Sequence, residues 1–338
     1  MSFKYFIFIL SFIALGCSNN TNSNFEITKP SSIDSLQILD RKELPLDVVE
    51  PFDTSFDLFS INSLGFGNYH IEFIPISEGF LSGKAPDLQI IPSHLLGDGA
   101  SIKPDSIYTL NGEYKKAALQ YAGIKETDSL FIYNLNKNDF FKCPISQLSV
   151  IAFLNPYGFY SPVKTTDYVL GVDVSDVHGR KQRNYEEQEL ATIHSSNPFI
   201  KGGAKKIVWK EIDLITYPEI LNKKIVGYQA DRCFQYNFEN FKLFCRVYTL
   251  NKNMVGFIID CLEGDSLIFD AQIFSGEGSE PLFSLENEQP MFYNWTVRLL
   301  RGMPPILYNL NSLSFGCPKV FFIQEKELFK YITCDNRH

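Results

Sequence analysis

Several catalytic and binding signatures are missing from this chain. None of its cysteines forms a C-x-x-C pair, which removes zinc-knuckle and thioredoxin-like readings. No G-x-S-x-G or H-E-x-x-H occurs. Ser161-Pro-Val-Lys164 matches S-x-x-K but lacks the S-D-N and K-T-G partners of that chemistry, and reads as a turn. Gly65-Phe-Gly67 and Gly97-Asp-Gly99 lack a third glycine and a following helix, so neither is a phosphate loop. Positive charge is short as well. The formal net charge is −8, and the basic clusters at 180–183 and 201–206 are too small to track a phosphate backbone, which argues against nucleic acid as a partner. No cofactor signature is present, and no cofactor is expected.

The chain does contain an apolar leader. Lys4 is the only charge in the first seventeen residues, and residues 5–15 are apolar except Ser11. A short positive start, an apolar stretch of this length and a small residue before a cut site form the pattern of a secretory signal peptide. The stretch falls short of the roughly 20 apolar residues that span a bilayer.

Ala14-Leu15-Gly16-Cys17 resembles the lipobox of bacterial lipoproteins, although Leu stands one place later than in the commonest pattern. The resemblance covers the leader alone. It implies a chain acylated at Cys17, which becomes the mature N-terminus, held in the cell envelope by a lipid anchor and facing periplasm or exterior. Two or more acyl chains suffice for lasting membrane attachment. Residues 18–24 read SNNTNSN and contain nothing to bury, as befits a tether.

Setting Cys17 aside leaves six cysteines, an even set that permits disulfides in an exported chain. A four-residue loop between 323 and 328 would make a C-terminal hairpin and place Cys317 across from Cys334, within bonding reach. By contrast, a hairpin closed by 251–253 pairs Cys245 with Ile259. That leaves Cys261 diagonal to Cys245, at or beyond disulfide reach.

The patterning is mainly β, with antiparallel hairpins, a few short helices and a sandwich-like arrangement. Tyr69, Ile71 and Phe73 alternate with His70 and Glu72 in a half-buried strand that ends at Pro75. Residues 113–122 read as a helix stopped by Gly123. Asp-Ser-(Leu/Ile) recurs at Asp34, Asp105, Asp128 and Asp265, the last three leading into apolar runs, as a turn entering a strand. Residues 132–138 echo 247–253, as if one strand–turn–strand solution were used twice. The organisation expected is a signal peptide over 1–16, a tether over 17–34, a β-rich half over 35–174, a charged connector over 175–205 and a second β-rich half over 206–338. Within the connector, 184–193 reads as an exposed helix. An exposed excursion inside a single domain fits the same residues.

Carboxylates and histidines gather only at Asp173, Asp176, His178 and His194. Asp176, His178 and His194 are therefore the candidate metal ligands, although strand alternation sets Asp173 on the opposite face and a solvated acidic loop explains the run more simply. Tyr157 and Tyr160, in a Pro- and Gly-rich loop, and Trp295 are candidate stacking residues for a glycan or protein ligand. Together these features point to a non-enzymatic, membrane-anchored binding or scaffolding lipoprotein. The competing expectation is an anchored hydrolase, metal-assisted through Asp176, His178 and His194.

Overall fold

The computed structural model describes residues 56–66, 69–77, 89–98, 106–154, 162–177, 188–218, 221, 230–250, 253–276, 279–282, 293–313, 316–323 and 329–335. The first described strands are β1 (Leu58–Phe59), β2 (Asn62–Phe66), β3 (Tyr69–Pro75) and β4 (Ile107–Leu110), followed by helix α1 (Glu113–Tyr121). Next come β5 (Ser129–Asn134), β6 (Asp139–Pro144), β7 (Val150–Leu154), β8 (Tyr168–Asp173), β9 (Glu189–His194), β10 (Ala204–Lys206) and β11 (Lys210–Ile212). Long strands follow: β12 (Arg232–Phe238), β13 (Phe241–Leu250), β14 (Asn253–Glu263) and β15 (Ser266–Phe274). The remainder are β16 (Ser279–Pro281), β17 (Trp295–Val297), β18 (Ile306–Tyr308), β19 (Asn311–Leu313), β20 (Lys319–Phe322) and β21 (Phe329–Thr333).

These strands make a nine-stranded sheet, in the order β10-β17-β18-β20-β21-β1-β9-β5-β6. Two five-stranded sheets accompany it, β2-β3-β8-β7-β4 and β11-β12-β13-β14-β15, with a small β16-β19 pair. Pairing is antiparallel throughout except between β1 and β21, where Leu58 and Phe59 lie beside Ile332 and Thr333. The fold is thus mainly β and antiparallel, and its stacked sheets are sandwich-like.

The nine-stranded sheet curls, and one face encloses a core of its own. Leu58, Phe131, Tyr133, Leu190, Val297 and Phe322, drawn from five of its strands, share that cluster. The opposite face serves both neighbours. Phe59, Ile132 and Ala191 pack with Ile74, Val150 and Leu170 of the first five-stranded sheet, beneath Ala118 and Leu119 of α1. Leu307, Phe321 and Ile323 pack with Leu243, Phe257 and Phe269 of the second.

One turn residue joins the two ends of the curled sheet. Asn138 stands just before β6, the last strand in the order, and its side-chain amide meets Ala204, the first residue of β10. The Ala204 N–H donates to Asn138 Oδ1 at 2.7 Å and Asn138 Nδ2 donates to the Ala204 carbonyl at 2.8 Å. Tyr133 Oη donates to the same Oδ1 at 2.5 Å, and the Gly202 N–H donates to the Asn138 carbonyl at 3.0 Å. Asn138 adopts φ 57°, a left-handed conformation that Asn tolerates better than most residues. Beside it, Lys201 pairs with Asp139 at 2.7 Å and its hydrogen bond holds the Asp139 carboxyl below the usual range.

Several local expectations hold. Helix α1 ends in a Schellman arrangement, with Gly123 at φ 68°, its N–H on the Gln120 carbonyl and the Ile124 N–H on the Leu119 carbonyl. The Asp-Ser phrases at 105, 128 and 265 lead into β4, β5 and β15. Cys317 and Cys334 are disulfide-bonded, with Cα atoms 5.4 Å apart. The route differs from the expectation, because β20 and β21 pair Phe321 with Phe329, a register one residue away. Both cysteines lie beyond the paired strands, where that shift does not bind them.

Other expectations are corrected. The two echoed segments do not share a turn. Four residues separate Asn134 from Asp139, whereas two separate Leu250 from Asn253. The second turn is thus one residue shorter than the 251–253 loop expected, and a bulge after Tyr248 makes up that one residue, so Cys245 still faces Ile259. Nor do residues 189–193 form an exposed helix. They belong to β9, held between β1 and β5, with Leu190 in the enclosed core and Ala191 and Ile193 in the other. Glu72, read as solvent-facing, is buried, because β3 is covered on both sides.

Replacing Asn138 by Ala removes one donor and one doubly used acceptor from a partly buried turn. A loss of about 2–4 kcal/mol is expected in urea unfolding, with a smaller loss for Asn138→Asp, which keeps the acceptor. Equal, negligible effects for both would show that the amide does not hold the sheet ends.

Candidate functional site

A cavity of about 300 Å³ opens where β6 meets the end of β8. Phe141 and Cys143 of β6 line one side, Gln147, Leu148 and Ser149 another, and Asp173, Asp176 and Val177 the third. Backbone geometry sets this meeting. The Asp173 N–H donates to the Ser149 carbonyl at 2.9 Å, fixing the end of β8 against the chain before β7. Asp173 Oδ1 then accepts from the Ser175 N–H at 2.9 Å and from its hydroxyl at 2.7 Å, which turns the chain sharply.

That turn overturns the alternation argument. The strand stops at Asp173, so alternation no longer governs Asp176, and both carboxylates face one cavity. Gln147, Ser149 and Cys143 complete its polar lining. The Cys143 thiol lies 3.7 Å from the Pro144 carbonyl and 4.0 Å from Gln147 Oε1. Burial pushes this thiol up, keeping it protonated and therefore a poor nucleophile at neutral pH. The cavity is equipped to hold a ligand by shape, two carboxylates and an amide. Sequence reasoning missed Cys143 and Gln147, since nothing in an isolated β-hairpin announces which residues a distant turn will cover.

The remaining candidates separate. His194 ends β9 and bonds within its own turn, where Nδ1 lies 3.1 Å from the Ser196 carbonyl. Among the described residues, no three His, Cys, Asp or Glu side chains converge as a metal site. Trp295 is not an exposed stacking platform, because it is only 2% exposed. It packs edge-on against Tyr293 with its indole N–H on Gln188 Oε1, in the enclosed core. Cys17, Tyr157, Tyr160 and His178 lie outside the described residues.

A second polar cluster is buried on the outer face of β13 and β14. The Arg246 and Asp260 side chains are 6% and 0% exposed and sit 3.4 Å apart. Tyr217 donates its hydroxyl to Asp260 and lays its ring 5.0 Å from the Arg246 guanidinium. Burial, reinforced by Asp260, pushes the Tyr217 phenol well up, so it stays a donor. This cluster pins the segment after β11 onto the sheet. Its signal in the sequence was a lone Asp inside the apolar run 254–262.

Four cysteines, Cys143, Cys233, Cys245 and Cys261, are buried free thiols. Burial raises Cys233 to about 11 and Cys261 to about 12, and Cys245 well above its ordinary value. A Cys17→Ser protein at pH 8 is therefore expected to react negligibly with a disulfide reagent while folded and to release four equivalents once denatured. Fast reaction of any one thiol in the folded protein would contradict this placement.

No family model matches the chain, and no curated protein and no solved structure is significantly similar to it.

Proposed function

We propose that this chain is a cell-envelope lipoprotein, anchored through Cys17, whose β-fold binds a ligand without chemical turnover. The observation that carries the binding reading is the cavity between β6 and the end of β8. Its walls combine apolar groups, Phe141, Leu148 and Val177, with the carboxylates of Asp173 and Asp176 and the amide of Gln147, and none of its lining side chains is basic. At about 300 Å³ it stands at the lower bound of small-molecule sites, which suits a compact ligand that donates hydrogen bonds or carries positive charge.

The envelope reading draws on the leader ending in Cys17 and on the Cys317–Cys334 bond, since disulfides persist in oxidising compartments. No described helix is long and apolar enough to cross a membrane. The proposed attachment is the acylated cysteine.

Two measurements test the proposal. Wild type should fractionate with membranes and incorporate labelled lipid, and Cys17→Ser should lose both. Unchanged fractionation of the variant would remove the anchor. For the cavity, thermal shift with glucosamine should exceed that with glucose, and Asp176→Asn should erase the difference. No shift with either sugar at millimolar concentration, or an unaltered difference in the variant, would reject a donor-binding cavity.

A further inference from the structure

Large apolar side chains stand exposed at six described positions, and three of them, Leu214, Ile215 and Leu250, belong to one end of the second five-stranded sheet. The sheet's topology puts them there. β11 and β13 both pair antiparallel with β12, so they run in the same direction and leave the sheet at the same end. Leu214 and Ile215 occupy the short 3-10 turn after β11, and Leu250 ends β13 at its hairpin with β14. They are 45%, 91% and 54% exposed.

This presentation is built, not incidental. The turn is fastened by the Tyr217 hydroxyl on Asp260, by the Tyr217 ring 5.7 Å from Phe244, and by fully buried Leu221. The segment thus spends Tyr217 and Leu221 on the sheet while directing Leu214 and Ile215 outward. The neighbouring charges are mostly engaged. Glu211 pairs with Arg232 at 2.6 Å, and Asp231 accepts from the Thr249 N–H at 2.9 Å and from its hydroxyl. Asp213 remains as an exposed carboxylate beside the tips.

We propose that this sheet end inserts shallowly into the lipid bilayer, with Leu214, Ile215 and Leu250 reaching the boundary between headgroups and acyl chains. The proposal rests on the lipid-anchor reading. Anchorage at Cys17 confines the fold to the membrane's vicinity, because the roughly 40 residues up to Phe56 reach at most about 140 Å when extended. A second copy of the chain is a poorer occupant. Three aliphatic side chains on projecting turns offer far less than the roughly 800 Å² per partner that a stable dimer covers. The described side chains at the tips themselves are aliphatic, so the proposed interaction is with apolar acyl chains rather than with headgroup charge.

The test places a probe at the tip. In Ile215→Cys, the introduced thiol is accessible, whereas Cys143, Cys233, Cys245 and Cys261 are buried and Cys317 and Cys334 are bonded. The full-length protein, labelled there with an environment-sensitive fluorophore, is reconstituted into phosphatidylcholine vesicles carrying shallow nitroxide lipid. Quenching several-fold stronger than for the same label at exposed Glu126→Cys is expected. Equal quenching at the two positions would overturn the proposal. Should the protein fail to stay with the vesicles, the anchor reading has failed. The labelled Cys17→Ser protein mixed with preformed vesicles then decides insertion alone, quenching supporting it and its absence overturning it. A concentration-dependent spectral shift at 215 without lipid would assign the patch to self-association and also overturn the proposal.

Discussion

The side-chain amide of Asn138 does for the curled sheet what a strand ladder would do for a closed barrel. A sheet rolled until its ends meet must satisfy the backbone groups it brings together, or leave costly unpaired ones in a partly buried seam. β6 and β10 share no strand ladder among the described residues. Instead Asn138 offers one acceptor and one donor to the backbone of Ala204, reproducing the exchange of a paired strand residue. Tyr133, from the enclosed core, donates to the same oxygen and links the seam to the packing behind it. The curl itself lets one face form a core unaided, freeing the other to carry two further sheets.

From that arrangement the cavity and the apolar sheet end follow. The first flanking sheet packs on the β5-β9-β1 side, and the turn after its β8 meets β6 to enclose the cavity. The second packs on the β18-β20 side and must cover its own outer face separately. It does so with the segment held by Tyr217, Arg246 and Asp260. Breaking one member of that buried trio would strand the others' charges or donors, which costs more than the trio contributes when whole.

Local rules carried much of the fold. Period-two alternation found β3, helical spacing with a terminal glycine found α1, and Asp-Ser turns marked the entries to β4, β5 and β15. The Cys317–Cys334 bond was legible because a C-terminal hairpin brings the two cysteines near each other, although its register is one residue from the one expected. What failed were inferences that needed tertiary burial. Residues 184–193 read as an exposed helix, but 189–193 lie in β9, which is covered on both faces by distant parts of the chain and buries even its Glu189 and Thr192. Trp295 looked like a surface anchor because an aromatic cluster reads alike in a core and at an interface. Asp173 and Asp176 seemed to diverge because the end of a strand, where alternation stops, is the boundary that sequence locates least well.

Amide hydrogen exchange at Ala204 tests the role of the seam most directly. If the Asn138 amide joins the sheet ends as described, the Ala204 N–H exchanges only with the opening of the whole sheet, at a rate comparable to core amides of β5 and β9. Exchange at the rate of an exposed loop amide, with β5 and β9 still protected, would show that the sheet ends are not joined and contradict the account.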